Sequence, residues 1–308
     1  MKPVTTLRRG LDPDPSLKSM HPAASRWIGT LIRMTSAHPA MTRILDVVES
    51  LSDRPYRTNF VLLGEPGTGK EGLGRALANL SCPGGPLVRY DVAGFPEDEA
   101  LSLLCGNGRR AGVAEAADGG TILVEEAARL PAQVQAVLLR LLKTGRCERR
   151  GTVAAGADDD DGPGAEQVKG KRFDVRVVAM SDRDLPGEVA AGRFRHDLYY
   201  RLARIQLSLP PLRERKEDIG PAVIWMGNRI LREARVPLEL MGQADFDQAA
   251  RGERLRAIAL HPEAIRVLER YAWPGNFREL EAVLERALLL HRRGPELGAG
   301  EIAAALGG

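Results

Sequence analysis

"FVLLGEPGTGKE", residues 60–71, passes from an apolar run through a glycine-rich turn to a lysine and then a helical pattern. Strand, glycines, lysine and helix in that order are the context that a phosphate-binding loop of the form G-x-x-x-x-G-K-[ST] requires. Gly64, Gly67 and Gly69, with Glu65, Pro66 and Thr68 between them, let backbone N–H groups curl around an anion. The dipole of the helix behind them favours the same charge. Lys70 reaches the β- and γ-phosphates, while Glu71 stands where a magnesium-binding hydroxyl is usual. Gly72 and Gly74 each cost that helix about 1 kcal/mol relative to Ala, so packing must help hold it.

Outward from this loop, short apolar strands alternate with helical patterns: "FVLLG" (60–64), "LVRYDV" (87–92), "TILVEE" (121–126), "VRVVAM" (175–180) and "IQLSL" (205–209). Such alternation predicts an α/β domain, a mainly parallel sheet covered by helices. After "PPLRERKEDIG" (210–220) the strand signals stop and helical periodicity continues. The expected organisation is a flexible arm (1–20), an α/β nucleotide-binding domain (21–210) and a small all-helical lid (211–308). A Gly- and Asp-rich stretch, "VAAGADDDDGPGAEQVKGKR" (153–172), reads as a solvated loop.

A formal net charge of +3 within 28% charged residues implies neither a polybasic nucleic-acid tail nor an acidic solvating chain. Cys82, Cys105 and Cys147 have no metal-ligand or redox spacing, which points to packing roles in a reducing compartment. No apolar run approaches the length that crosses a bilayer. A cytoplasmic protein without a membrane partner is expected.

The stretch "TILVEEAARL" (121–130) carries two carboxylates out of an apolar strand. A phosphate loop needs such a strand end: one acid holding magnesium through water, and a neighbour activating the attacking water. Glu125 is the candidate metal-side carboxylate and Glu126 the candidate base. The first is usually Asp, and the extra methylene of Glu125 pulls the metal shell outward, which makes binding of ATP the safer expectation than its hydrolysis.

These motifs, with "DVRVVAMSDRDL", "AAGRFRHDLYYRL", "LPPLRERKEDI" and "WPGNFRELEAVLERALLL", resemble the AAA+ central domain of sigma-54-dependent bacterial transcription activators over about residues 28–300. The resemblance implies a P-loop NTPase fold with ATP and Mg2+ as cofactors and self-assembly into a hexamer or similar ring. It makes Arg195 and Arg201 the arginines that reach the next subunit's nucleotide, a contact worth about 10³–10⁵ in rate in related systems. It makes Arg278 a second sensor on a lid helix, with Asn276 and Glu279 forming a capping box. Asp91 and Asp182 stand where the family carries Asn, so that four carboxylates crowd the polyphosphate site and slow hydrolysis is expected.

The larger departure is between Gly106 and Gly119, where only "NGRRAGVAEAAD" (107–118) replaces the hairpin that grips the sigma factor. Contact with sigma-54 is therefore not expected, nor is site-specific DNA binding, because no DNA-binding helix-turn-helix is visible. Three readings stay open: a ring ATPase that remodels an unidentified protein partner, a nucleotide-dependent switch or scaffold with little hydrolysis, and a sigma-54-dependent regulator acting with accessory partners.

Overall fold

A computed structural model describes residues 5–6, 36, 38–52, 58–82, 84–107, 110–148, 172–249, 257–292 and 294–307. Most of the acidic segment 153–172 and nearly all of the arm 1–20 lie outside these residues. The chain divides into two compact units; the first takes in Asp46–Gly64 and Lys70–Ser208, the second Glu65–Gly69 and Leu209–Gly308 with the start of the first described helix.

That helix is α1 (Pro39–Ser52). The sheet of the first unit contains β1 (Thr5–Thr6), β2 (Phe60–Leu63), β3 (Leu87–Tyr90), β6 (Thr121–Val124), β7 (Arg176–Ser181) and β8 (Ile205–Ser208). Their order is β1-β3-β6-β7-β2-β8, all parallel. All five strands anticipated from the apolar runs are present. The two-residue β1 is an addition, since the arm had been expected to be loose throughout.

Helices α2 (Lys70–Ser81), α3 (Glu97–Cys105), α4 (Val113–Ala116), α5 (Ala132–Thr144), α6 (Leu185–Ala190) and α7 (His196–Leu202) complete the unit. Val61, Ile122, Val124, Val177 and Ala179 of the sheet pack with Leu104, Leu138 and Leu198 in a fully buried core. Burying one such side chain is worth about 1.5–3 kcal/mol. Continuous apolar strands of this kind suit a sheet covered by helices. The close packing also explains one costly glycine in α2. A Cβ on Gly74 would lie 3.2 Å from Leu123 and 3.5 Å from Leu62 and Val178, so a larger residue there would have to push the Leu123 side chain aside.

Between α3 and α4 the described residues form a minimal hairpin, β4 (Gly106–Asn107) against β5 (Arg110–Ala111), antiparallel. Cys105, at the end of α3, is bonded to Cys147, which follows α5, and Cys82 is free. This pairing corrects the expectation of three cysteines with packing roles only. The two cysteines are 42 residues apart, and spacing does not reveal that the ends of two helices meet.

The second unit is mainly helical: α8 (Ile219–Glu233), α9 (Gln243–Ala249), α10 (Pro262–Arg270), α11 (Asn276–Arg286) and α12 (Ala299–Leu306). It also holds a small parallel sheet of β9 (Glu239–Gly242), β10 (Ala257–Leu260) and β11 (Glu296–Leu297), in the order β11-β10-β9. The lid is thus helical with a three-stranded addition, where an all-helical unit had been expected. β9 (ELMG) and β10 (AIAL) hold a single β-branched residue between them and β11 has two residues, so composition does not set them apart from the helical segments around them. Trp273, Leu280, Leu284, Ile258 and Leu260 form its buried core. No described helix is long and apolar enough to cross a membrane.

Candidate functional site

In the first unit the carboxyl ends of β3, β6, β7 and β2 lie side by side, the edge at which open parallel sheets bind ligands. Asp91 follows β3, Glu125 and Glu126 follow β6, Asp182 follows β7 and Gly64 follows β2. Backbone bonds hold the register: Glu125 N–H donates to Tyr90 O at 3.0 Å, and Gly64 N–H to Ser181 O at 3.2 Å. Lys70, at the start of α2, donates to Gly64 O at 2.5 Å.

The carboxylates here crowd one another, and arginines offset part of that charge. Arg89, in β3, directs Nε and Nη2 to the same oxygen of Glu125, and its Nη1 lies 3.3 Å from Glu71. Arg75 donates to the same Glu71 oxygen at 2.6 Å. Arg89 in β3 and Asp91 just after it both act on the charge of Glu125, which follows the neighbouring strand β6. Burial raises the Glu125 carboxyl above its ordinary range, Arg89 pulls it down, and Asp91 and Glu71 push it up.

A second arginine serves the other pair. Arg129 Nε lies 3.0 Å from Glu126 without the alignment of a hydrogen bond, and its Nη2 lies 3.4 Å from Asp182. Glu126 takes a left-handed backbone conformation, φ 50° and ψ 44°, as the chain leaves β6 for a 3-10 turn. Such a conformation is uncommon outside glycine and clusters at functional positions. Asp182 Oδ1 is buried with no hydrogen-bond partner among the described residues.

Magnesium does not fit the place expected for it at Glu125. A guanidinium already occupies Oε1 of Glu125, and two arginines share Oε1 of Glu71, so a divalent cation there would sit beside fixed positive charge. Each positive charge brought to about 4 Å from another costs on the order of 4 kcal/mol at an effective dielectric of 20. No cluster of His, Cys, Asp and Glu able to hold a metal occurs among the described residues.

Within the second unit, the loop Glu65–Gly69 is moored by Arg213 and Arg215, which motif reading missed, and by Asn276, which it assigned to a helix cap. Arg213 makes a two-pronged pair with Glu65, at 2.6 and 2.8 Å. Arg215, buried and lying over the Phe277 ring, donates to Thr68 O at 2.7 Å. Asn276 donates to Glu65 and to Pro66 O and accepts from Leu212 N–H at 2.7 Å. The expected capping box is therefore displaced by one residue: Gly275 is the cap, its N–H bonded to Glu279 at 2.8 Å, and Asn276 ties the loop instead. A Cβ on Gly67 would strike Gly275 O at 2.3 Å and Arg278 at 3.3 Å, so the first turn of α11 lies directly against the loop. The Arg278 side chain is exposed from that turn.

Arg195 is exposed and paired with Asp197 at 3.0 Å; its N–H donates to the buried Gln135, which also holds Leu130 O and Arg193 O. Arg201 donates to Leu142 O at 2.8 Å and lines a cavity of about 420 Å³ with Asn59, Gly120, Arg176 and Arg204. These residues lie at the amino ends of the strands, so within one chain Arg201 is at the opposite edge from Glu125 and Glu126. A lone arginine inside the apolar "LVRYDV" was the signal that could have flagged Arg89.

Residues 34–208 match the Sigma-54 interaction domain family, and residues 232–307 match an AAA+ ATPase lid domain. The response regulator protein FleR of Pseudomonas aeruginosa is 37% identical over 268 residues, 83% of this chain and 49% of that protein. The anaerobic nitric oxide reductase transcription regulator NorR of Salmonella paratyphi C is 36% identical over 269 residues, 84% of this chain and 46% of NorR. The chain thus spans about half the length of the curated relatives it matches. NtrX from Brucella abortus, solved in complex with ADP, aligns with a TM-score of 0.71 at 27% identity over 92% of this chain and 57% of NtrX. The ATP complex of the same protein aligns with a TM-score of 0.68 at 26% identity over 86% of this chain and 55% of NtrX.

Proposed function

Because the chain belongs to the sigma-54 interaction domain family of AAA+ proteins, we propose that it binds ATP through residues 64–71 and passes its nucleotide state to a protein partner, hydrolysing slowly. The arginine-held acids at the end of β6 carry the slow part of this reading. Glu126 must leave Arg129 before it can accept a proton from water, and Glu125 is engaged by Arg89. ATP or ADP in the NtrX complexes, on a chain of the same fold, supports the nucleotide.

Self-assembly belongs to the same proposal. In one chain Arg201 is at the far edge of the sheet from the paired acids, so its role as a finger is exercised on a neighbour's nucleotide, with Arg195 beside it in the motif. Planar guanidinium suits the spread charge of phosphoryl transfer. The minimal hairpin at 106–111 leaves no room for a long sigma-gripping loop, so the partner is a protein other than sigma-54.

Transcription regulation with accessory partners is the second reading, favoured by the regulatory names of FleR and NorR. Light scattering with and without ATP, on the whole chain and on Arg195→Ala, tests assembly; steady-state phosphate release with Glu126→Gln beside it tests turnover. ATP-dependent growth lost in Arg195→Ala, with slow release that Glu126→Gln abolishes, is the expected result. A chain that stays monomeric throughout overturns assembly, and turnover at the level of an ordinary enzyme, about 10 per second, overturns slow hydrolysis.

A further inference from the structure

We propose that the guanidinium of Arg89 takes the place of the divalent cation, so that this chain binds a metal-free nucleoside triphosphate. The inference rests on the nucleotide-binding reading above. In loops of this kind the residue after the lysine contributes a hydroxyl to a magnesium ion that neutralises the β- and γ-phosphates. Here that residue is Glu71, and the cation between it and the acid that ends the neighbouring strand is Arg89. Both ordinary metal-side positions are changed in the same direction: a hydroxyl becomes a carboxylate, and the usual aspartate becomes the longer Glu125. One change adds a carboxylate and the other lengthens one, and both now meet the planar guanidinium of Arg89.

The charges facing this position come from four elements. Arg89 comes from β3 and Asp91 from the turn after it, Glu71 and Arg75 from α2, and Glu125 from the end of β6. Lys70 is at the start of the same helix. Arg89 is 23% exposed and Glu125 21% exposed, so this pair is screened from water far more than a surface ion pair. A guanidinium cannot be deprotonated in this range and is not removed by a chelator. Its charge is therefore permanent, where that of a metal depends on supply.

Calorimetric titration of the whole chain with ATP, once with excess Mg2+ and once with excess EDTA, tests the inference. The expected result is two dissociation constants within about twofold of each other. Arg89→Gln should weaken binding about tenfold or more in EDTA, and Mg2+ should then restore part of it. A second variant, Glu71→Thr with Arg89→Gln, returns the hydroxyl and should bind ATP only with Mg2+. An original chain whose affinity falls tenfold or more on chelation overturns the substitution and leaves nucleotide binding standing. Absence of ATP binding under both conditions overturns the nucleotide reading and this inference together.

Discussion

Two arginine–acid clusters stand at the same sheet edge, and they are built differently. Arg89 is screened, with two of its nitrogens on one Glu125 oxygen and a third near Glu71. Arg129 is 46% exposed, lies near Glu126 without hydrogen-bond alignment, and meets Asp182 at 3.4 Å. Partly buried, well-aligned pairs resist rearrangement because breaking them strands a desolvated charge. Exposed, poorly aligned pairs are worth about 0–1 kcal/mol and exchange readily. Glu125 is thus committed, while Glu126 keeps its freedom to turn.

The sharpest test of that contrast is removal of the committed arginine. Arg89→Gln leaves Glu125 without its counter-charge and should lower unfolding free energy by about 2–3 kcal/mol near neutral pH in denaturant titrations. The sign with pH follows from Glu125, whose folded-state carboxyl is already raised by burial. Without Arg89 it rises further, and a carboxyl raised on folding costs stability as pH increases. The deficit of the variant should therefore shrink as the solution is acidified and Glu125 takes up a proton. A deficit that does not change with pH would break the link between Arg89 and Glu125.

A third pair, in the second unit, sharpens the comparison from the other side. Asp218 and Arg215 are both buried but 3.9 Å apart, and burial lifts the Asp218 carboxyl to about 6 despite Ser36, Arg215 and His38 nearby. Folding then binds a proton more tightly than the unfolded chain does, so this group's contribution is full below about 4 and is lost as pH rises through about 6. Asp218→Asn should match the original chain near pH 4 and exceed it by about 1–2 kcal/mol above pH 7. Equal stability at both ends would show that proximity to Arg215 already neutralises the carboxylate.

The smallest stability change belongs to the loose cluster. Arg129→Ala should cost less than about 1 kcal/mol, within the range of exposed pairs. Its effect should be read in turnover instead: with Glu126 released, phosphate release should rise several-fold. A fall would mean that Arg129 holds Glu126 where water is attacked, and the two clusters would then differ in tightness without differing in purpose.

Much of this was legible from residues alone, and unevenly. The five principal strands and the glycine-rich turn into a helix at Lys70 follow from local pattern, because apolar runs, glycine freedom and a lysine at a helix start act within a few positions. The paired glutamates were visible for the same reason. Asp91 and Asp182 were visible as substitutions, and Asp91 does push the Glu125 carboxyl up, but the arginines that offset the crowding, Arg89 and Arg129, come from elsewhere in the chain. Asn276 sat in an apparent capping box, yet its side chain reaches residues 65, 66 and 212. The Cys105–Cys147 bond was invisible to spacing.

By itself the sequence determined which segments form the sheet, where a glycine-rich loop meets a lysine at a helix start and which acids end the second and third of the five anticipated strands. Each depends on chemistry repeated within a short window. Only the tertiary structure decided which cation those acids hold. Arg89 reaches Glu125 across 36 residues because β3 and β6 are parallel neighbours in one register, with Arg89 opposite Leu123 and Glu125 just past the end of β6. Charge–charge contact depends on distance through space, and distance along the chain does not reveal it.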